Sequence, residues 1–424
     1  MILLWVEKGT LFLLINYRKY YKYNFYMCFM IKRKILKNGM TVVFKERKNE
    51  VVAISFAVRY GGINEKAEHK GIAHFIEHML YKGTPKRSAQ QISMDIERNG
   101  GELNGFTSEQ CTAFWCKIPS KHLNVALDVL SDMVKNPLFD ESEINKERQV
   151  IFEEMKMYQD NPQMHVFDKI KELMYRGDFS IPLIGTRESM NSNTQDRLKE
   201  FFSKIYVPQN MILCVVGEAD FDYICEFAEK NFIKEGVKIN YPDVEISKGE
   251  ETKKRKGVDQ ANLILAYHIP LNDSMEFAAQ VLSVLMAGGM SSRLFSEIRE
   301  KRNLAYAVKA FYDSGGKYAY SGVYVGTTPE NVGKVKELII KEFEQVSKEL
   351  KEEELKSVKD QIVGNYFISQ EDSFSLMYDL LRSEIKGDAQ EVEKFVEKIK
   401  NVKLEDVKKL ASVKDWSFFA LVPE

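Results

Sequence analysis

The chain has 424 residues, 44% of them hydrophobic and 29% charged, which is the balance of a soluble globular protein and too long for one ordinary core. Two domains of about 200 residues suit that length. Lys and Arg number 61 against 62 for Asp and Glu, so nothing in the charge supports a nucleic-acid partner, which would favour a basic surplus.

Residues 1–29 differ from the rest. Two short apolar runs, Leu3 to Val6 and Leu11 to Ile15, precede a Tyr/Lys/Arg cluster from Tyr17 to Tyr26. Neither run approaches the roughly 18–20 apolar residues that span a bilayer, and the order of features is not that of a signal peptide. Met27 and Met30 follow, so the expectation is an over-called start, with a weak membrane-surface anchor as the alternative, and 1–29 lie outside the fold. Five cysteines (Cys28, Cys111, Cys116, Cys214, Cys225) form no C-x-x-C pair and read as reduced, buried thiols of a cytoplasmic protein.

From Ile31 the pattern becomes regular. Lys34 to Phe44 reads as a hairpin with Asn38-Gly39 as a two-residue turn, and Val51 to Tyr60 as a further strand. Helical periodicity follows over 69–82 and 88–98, strands over 102–107 and 110–118, then helices over 120–135, 141–159, 163–176 and 194–204. A strand at 210–217 and a helix at 220–233 complete a first domain, 30–238. Residues 239–257 are charged, lack apolar periodicity and read as a linker. The second domain, 258–424, opens with a strand at 260–268 and helices at 273–286 and 291–302. Strands at 305–313 and 317–326 and helices at 329–349 and 351–369 continue it. Asp95-Ile96-Glu97 followed by Gly105 to Ile118 parallels Glu297-Ile298-Arg299 followed by Ala305 to Val325. The fold class expected is α+β: two similar domains, each an antiparallel-rich sheet with helices packed on one face.

The sharpest chemistry lies in His74-Phe75-Ile76-Glu77-His78. At about 100° per residue, His74, Glu77 and His78 share one helical stripe, and the surrounding positions are apolar. Polar groups on an otherwise apolar helix need partners, and two imidazoles from adjacent turns suit Zn²⁺. A pair of satisfied core histidines is the plain alternative. A third ligand is absent locally. In Glu147 to Tyr158, Glu153 shares a solvent stripe with Lys146, Gln149, Lys156 and Asp160, whereas Glu154 shares an apolar face with Val150, Ile151 and Tyr158. Periodicity therefore favours Glu154 as the inward carboxylate. Glu147, two turns earlier on that face, reads either as a carboxylate supporting a ligating His or as a half-exposed salt-bridge partner.

His74-x-x-Glu77-His78 within Gly71 to Thr84, together with Glu147 to Tyr158, resembles the insulinase and mitochondrial-processing-peptidase family of inverted-motif zinc peptidases. The resemblance runs from about residue 31 to the end and suggests a short, bacterial-type processing peptidase. It implies one zinc per chain on His74, His78 and Glu154, with Glu77 as general base and Glu147 assisting. The segment Gly289 to Tyr306 is similar to the family's remote motif, which implies that Arg299 and Tyr306 stabilise the substrate carbonyl from the other half of a clamshell. Gly100 to Thr107 resembles the family's edge strand, which implies substrate contacts from Asn104, Phe106 and Thr107. The chain is about half the length of the single-chain insulinase type, so the resemblance implies a homodimer closing around an extended peptide substrate. A non-catalytic assembly subunit and a zinc hydrolase of small substrates are the rival readings.

Overall fold

The computed structural model describes residues 30–424, so the expectation for 1–29 falls outside the described residues. Two sheets organise the chain. The first runs in the order β1 (Lys32–Ile35), β2 (Thr41–Glu46), β6 (Met211–Gly217), β3 (Val51–Val58), β5 (Thr112–Pro119) and β4 (Glu102–Thr107). The second runs β7 (Glu250–Arg255), β11 (Ser417–Pro423), β8 (Ala261–His268), β10 (Tyr318–Thr327) and β9 (Ala305–Gly315). Pairing is antiparallel except for β2 with β6 and β7 with β11. The architecture is α+β with two sheets, as the pattern predicts.

Strand alternation sets the two faces of the first sheet. Val52, Ile54, Phe56 and Val58 of β3 join the core formed with the helices of the first half. The opposite face carries small residues, Ala53, Ala57, Ala113 and Cys214, and this lets a helix approach closely. That helix is Ser373–Lys386, from the far end of the sequence, which seats Leu376, Met377, Leu380 and Leu381 there. Each such buried side chain contributes about 1.5–3 kcal/mol. The second sheet repeats the arrangement in reverse: Val166, Ile170 and Met174 of the Pro162–Met174 helix pack against Ile264 and Ala266 of β8. Each sheet thus has its own helices on one face and a helix lent by the other half on the second face, a cover that the sequence pattern did not assign.

A buried ionic clamp fixes the loan. Glu384, 0% exposed in its side chain, receives Arg33 Nε at 2.7 Å and Arg59 Nη2 at 2.7 Å. Arg47 donates to the carbonyls of Gln370 and Glu371, at 2.8 and 2.5 Å, and Lys117 meets Asp372 at 2.5 Å.

Three local expectations change. The first hairpin turns through three residues: Leu36 pairs with Met40, Gly39 takes φ +89°, and Asn38 Nδ2 is drawn away to the carbonyls of Ala228 and Phe232. Gly39 therefore occupies the left-handed position of a bulged loop, and Asn38 tethers the turn to a helix end. Within the expected linker, Glu250–Arg255 forms the edge strand β7, in parallel register with β11. Its charged residues are mostly solvent-facing, which suits an edge and resists further pairing. In place of a regular helix over 291–302, Phe295–Glu300 forms a π-helical turn.

Candidate active site

The site begins with how its helix is held. Ile72–Leu80 starts after Gly71, whose φ of +85° is left-handed and which has no side chain to cap the first turn. The buried Glu65 carboxylate does so instead, accepting from Gly71 N at 2.9 Å and Ala73 N at 2.7 Å. Negative charge at a helix N-terminus is favourable, and the bonds satisfy two otherwise orphaned amides. Burial nevertheless pushes the Glu65 carboxyl upward, with Lys70 and the two amides pulling it back. Ile72, Ala73, Phe75, Ile76, Met79 and Leu80 are buried, leaving His74, Glu77 and His78 as the partly accessible stripe.

Against this stripe lies the helix Glu141–Asp160. His74 Nε2 and His78 Nε2 are each 3.7 Å from the same oxygen, Glu154 Oε2. The three prospective ligand atoms fall within 4.8 Å of one another. Bonds of about 2.0–2.2 Å in a tetrahedral zinc site place neighbouring donors roughly 3.4 Å apart, so small shifts would close the triad on one ion. Glu153 points outward and pairs with Lys156 at 2.5 Å.

Electrostatics agrees with a cation at this point. Burial, reinforced by the neighbouring His78, holds His74 down to about 3, so its imidazole is neutral and its lone pair available. Burial also pushes the Glu154 and Glu77 carboxyls upward, opposed chiefly by His78 for Glu154 and by the Thr107 hydrogen bond for Glu77. Carboxylates in that condition lack a counter-charge, and a dication supplies one. His78 Nδ1 lies 3.0 Å from Glu147 Oε2, and Glu147 Oε1 meets Lys82 Nζ at 2.5 Å. With its proton on Nδ1, His78 donates to Glu147 and turns the Nε2 lone pair toward Glu154. Glu147 is 6% exposed, so it is buried rather than half-exposed, and it touches both His78 and Lys82.

Glu77 is held on the other side by the sheet. Thr107 Oγ1 donates to Glu77 Oε2 at 2.5 Å from the end of β4, the outermost strand of the first sheet among the described residues. A Cβ added at Gly105 would lie 2.7 Å from the Tyr81 hydroxyl and 3.2 Å from Glu77 Oε1, so the strand backbone rests directly on both. Alternation turns the neighbouring residues away. Phe106 packs edge-on against Tyr378, ring centroids 5.4 Å apart, and exposed Asn104 accepts from Gly105 N at 2.8 Å. Asn104 and Phe106 thus belong to the opposite face of the strand from the helix that carries His74, Glu77 and His78.

Arg299 and Tyr306 stand apart. Arg299 is exposed, its guanidinium 4.8 Å from the Phe295 ring centroid. Tyr306, 45% exposed at the start of edge strand β9, lies over Gly326, where an added Cβ would meet its hydroxyl at 2.5 Å. Among the described residues no hydrogen bond or ion pair joins either one to His74, His78 or Glu154. Sequence reasoning missed Glu65, Tyr81 and Lys82. The last two lie four residues after Glu77 and His78, so helical spacing alone could have found them; Glu65 sits before the helix and carries no such signal.

Residues 41–187 match the family described as insulinase (peptidase family M16), and residues 192–362 match the peptidase M16 inactive domain. An uncharacterised zinc protease of Bacillus subtilis, YmxG, is 32% identical over 390 residues, covering 90% of this chain and 95% of that protein. An uncharacterised zinc protease of Streptomyces coelicolor is 31% identical over 398 residues, covering 90% of this chain and 86% of its own. The crystal structure of a protease from Helicobacter pylori superposes with a TM-score of 0.87 at 24% identity, over 93% of this chain and 99% of that one. A peptidase M16 inactive domain structure from Pseudomonas fluorescens gives 0.85 at 17% identity, over 93% and 98%. At those identities the two structures speak for the fold, and the curated relatives speak for the family. The chain belongs to the insulinase family of zinc proteases, peptidase family M16.

Proposed function

We propose that the chain is a zinc metalloendopeptidase that hydrolyses extended or unfolded peptides. The observation that carries this reading is the convergence of His74 Nε2 and His78 Nε2 on one Glu154 oxygen, beside the Glu77 carboxylate that Thr107 of strand β4 holds. His74, His78 and Glu154 would hold one zinc per chain, and when bound the ion supplies Lewis acidity that polarises a carbonyl and acidifies water. Glu77 takes the proton of the attacking water and returns it to the leaving amine. Glu147 and Lys82 keep His78 in its ligating orientation. The outer edge of β4, unpaired among the described residues, receives the substrate backbone as an added strand, which demands an extended chain but little particular sequence.

Oxyanion support is assigned to the second half of the chain. The exposed Arg299 and Tyr306 suit that role if a second copy of the chain presents them across a closing chamber, so the reading includes a homodimer. Free, buried thiols at Cys111, Cys116, Cys214 and Cys225 support a reducing, cytoplasmic setting. No helix among the described residues is long and apolar enough to cross a membrane.

Glu77→Gln tests the assignment. Zinc content equal to wild type with cleavage of a quenched, unstructured peptide reduced by several orders of magnitude is the expected result. Substantial residual turnover would remove Glu77 as the base. A wild-type protein that holds no zinc would favour the assembly-subunit reading, and zinc without peptide cleavage would favour a small-substrate hydrolase.

A further inference from the structure

We infer that Thr107 is a positioning residue for Glu77, so that the strand offered to the substrate also sets the base; this rests on the peptidase reading above. The Thr107 hydroxyl has one proton, and it is committed to Glu77 Oε2 at 2.5 Å. Among the described residues no hydrogen bond reaches Glu77 Oε1, which leaves that oxygen open to water. A lone glutamate on a helix would sample several rotamers, and a fixed donor on one oxygen selects among them.

The donor is itself rigidly placed. Thr107 is β-branched and stiff at χ1, and it closes β4 opposite Thr112 of β5. Thr112 is buried, its hydroxyl donating to the Tyr60 carbonyl at 3.1 Å. The next residue, Ser108, is tied on three sides: its amide donates to Cys111 O at 2.8 Å, its carbonyl accepts from Gly62 N at 3.1 Å, and its hydroxyl accepts from Cys111 N at 3.1 Å. Gly61 packs so tightly here that an added Cβ would sit 2.9 Å from Cys111 N. The frame holding Thr107 is therefore strand and turn backbone, bonded to β5 and to the segment 61–62.

The same geometry separates Thr107 from a direct substrate contact. Its side chain faces the metal-site helix with its proton already donated, whereas a peptide pairing with the β4 edge meets backbone amides and carbonyls. Losing a hydrogen bond to a charged group in this position lowers turnover without weakening binding.

The test compares wild type, Thr107→Val and Thr107→Ser on a quenched unstructured peptide, with zinc content and Tm measured for each. Valine keeps the shape and strand propensity and removes only the hydroxyl. Expected are a kcat reduced about ten- to a hundredfold in T107V, KM within about twofold, wild-type zinc and Tm, and recovery of most activity in T107S. An active wild type with T107V equal to it overturns this inference alone, as does a raised KM at unchanged kcat, loss of zinc in step with activity, or T107S as slow as T107V. A wild type that cleaves no peptide overturns the proposed function and this inference with it.

Discussion

Glu147 bridges His78 and Lys82: one of its oxygens lies 3.0 Å from the imidazole Nδ1 and the other 2.5 Å from the ammonium. The carboxylate is thereby fixed at both oxygens before any metal arrives, and the imidazole inherits its orientation. Glu147→Gln should weaken zinc binding about 10–100-fold, as loss of a carboxylate behind a ligating His does. Competition against a chelator measures it, and unchanged affinity would reduce Glu147 to a salt-bridge partner.

The two neighbouring glutamates should separate cleanly. Glu154→Gln removes the only carboxylate of the triad and is expected to abolish stoichiometric zinc. Glu153→Gln loses an exposed pair with Lys156 and should change stability by less than about 0.5 kcal/mol. Metal analysis and thermal melting of both variants decide between them; zinc retained in the Glu154 variant would refute the ligand set.

Gly105 is predicted to resist substitution for a reason local to the site. Gly105→Ala presses a methyl group against the Tyr81 hydroxyl, Ala113 O and Glu77 Oε1. The cost should be about 1–3 kcal/mol of stability. Activity should fall more than zinc binding, because Glu77 rather than a ligand is displaced. Urea denaturation beside kcat and bound zinc gives both numbers.

Glu384 carries a larger load. Glu384→Ala leaves Arg33 and Arg59 without their shared carboxylate in a closed interface, and removing one member of a buried ionic group typically costs about 3–5 kcal/mol. Denaturant midpoints should register that loss, and an unchanged midpoint would mean water replaces the carboxylate freely.

His165 supplies a pH signature. It lies on the helix lent to the second sheet, against Phe419, and burial together with Arg255 holds it down to about 4. The unfolded chain takes up this proton near pH 6.5, so the folded state loses stability as pH falls from about 6.5 toward 4. His165→Phe should flatten that part of the stability-pH curve. An identical slope in wild type and variant would assign the acid sensitivity elsewhere.

The clustering of His74, His78 and Glu154 was legible because helix geometry converts spacing into direction: the shared stripe of the two histidines and the choice of Glu154 over Glu153 follow from 3.6 residues per turn. Glu147 was visible as a position but not as a role, since its burial depends on how two helices meet. Strand β7 was hidden by its own composition, because an exposed edge of Glu, Thr, Lys and Arg reads as a solvated loop until its partner strand near residue 420 is known. Asn104 and Phe106 entered the site by resemblance, and alternation along β4 assigns them to the other face. The packing of the helix at 373–386 was beyond local reading. Its apolar stripe announces a helix face, but nothing in its neighbourhood says that the face belongs to strands more than 150 residues earlier.

The exchanged helices have a consequence for how the protein is made. The first sheet has all its strands once Gly217 is synthesised, yet the helix that covers its back begins only at Ser373. During translation the first half must wait with Ala53, Ala57, Ile212 and Val216 uncovered, a period in which a nascent chain is open to mispairing or chaperone capture. For the same reason residues 30–238 expressed alone should be poorly soluble, while the two halves co-expressed as separate polypeptides should find each other, each completing the other's unfinished sheet.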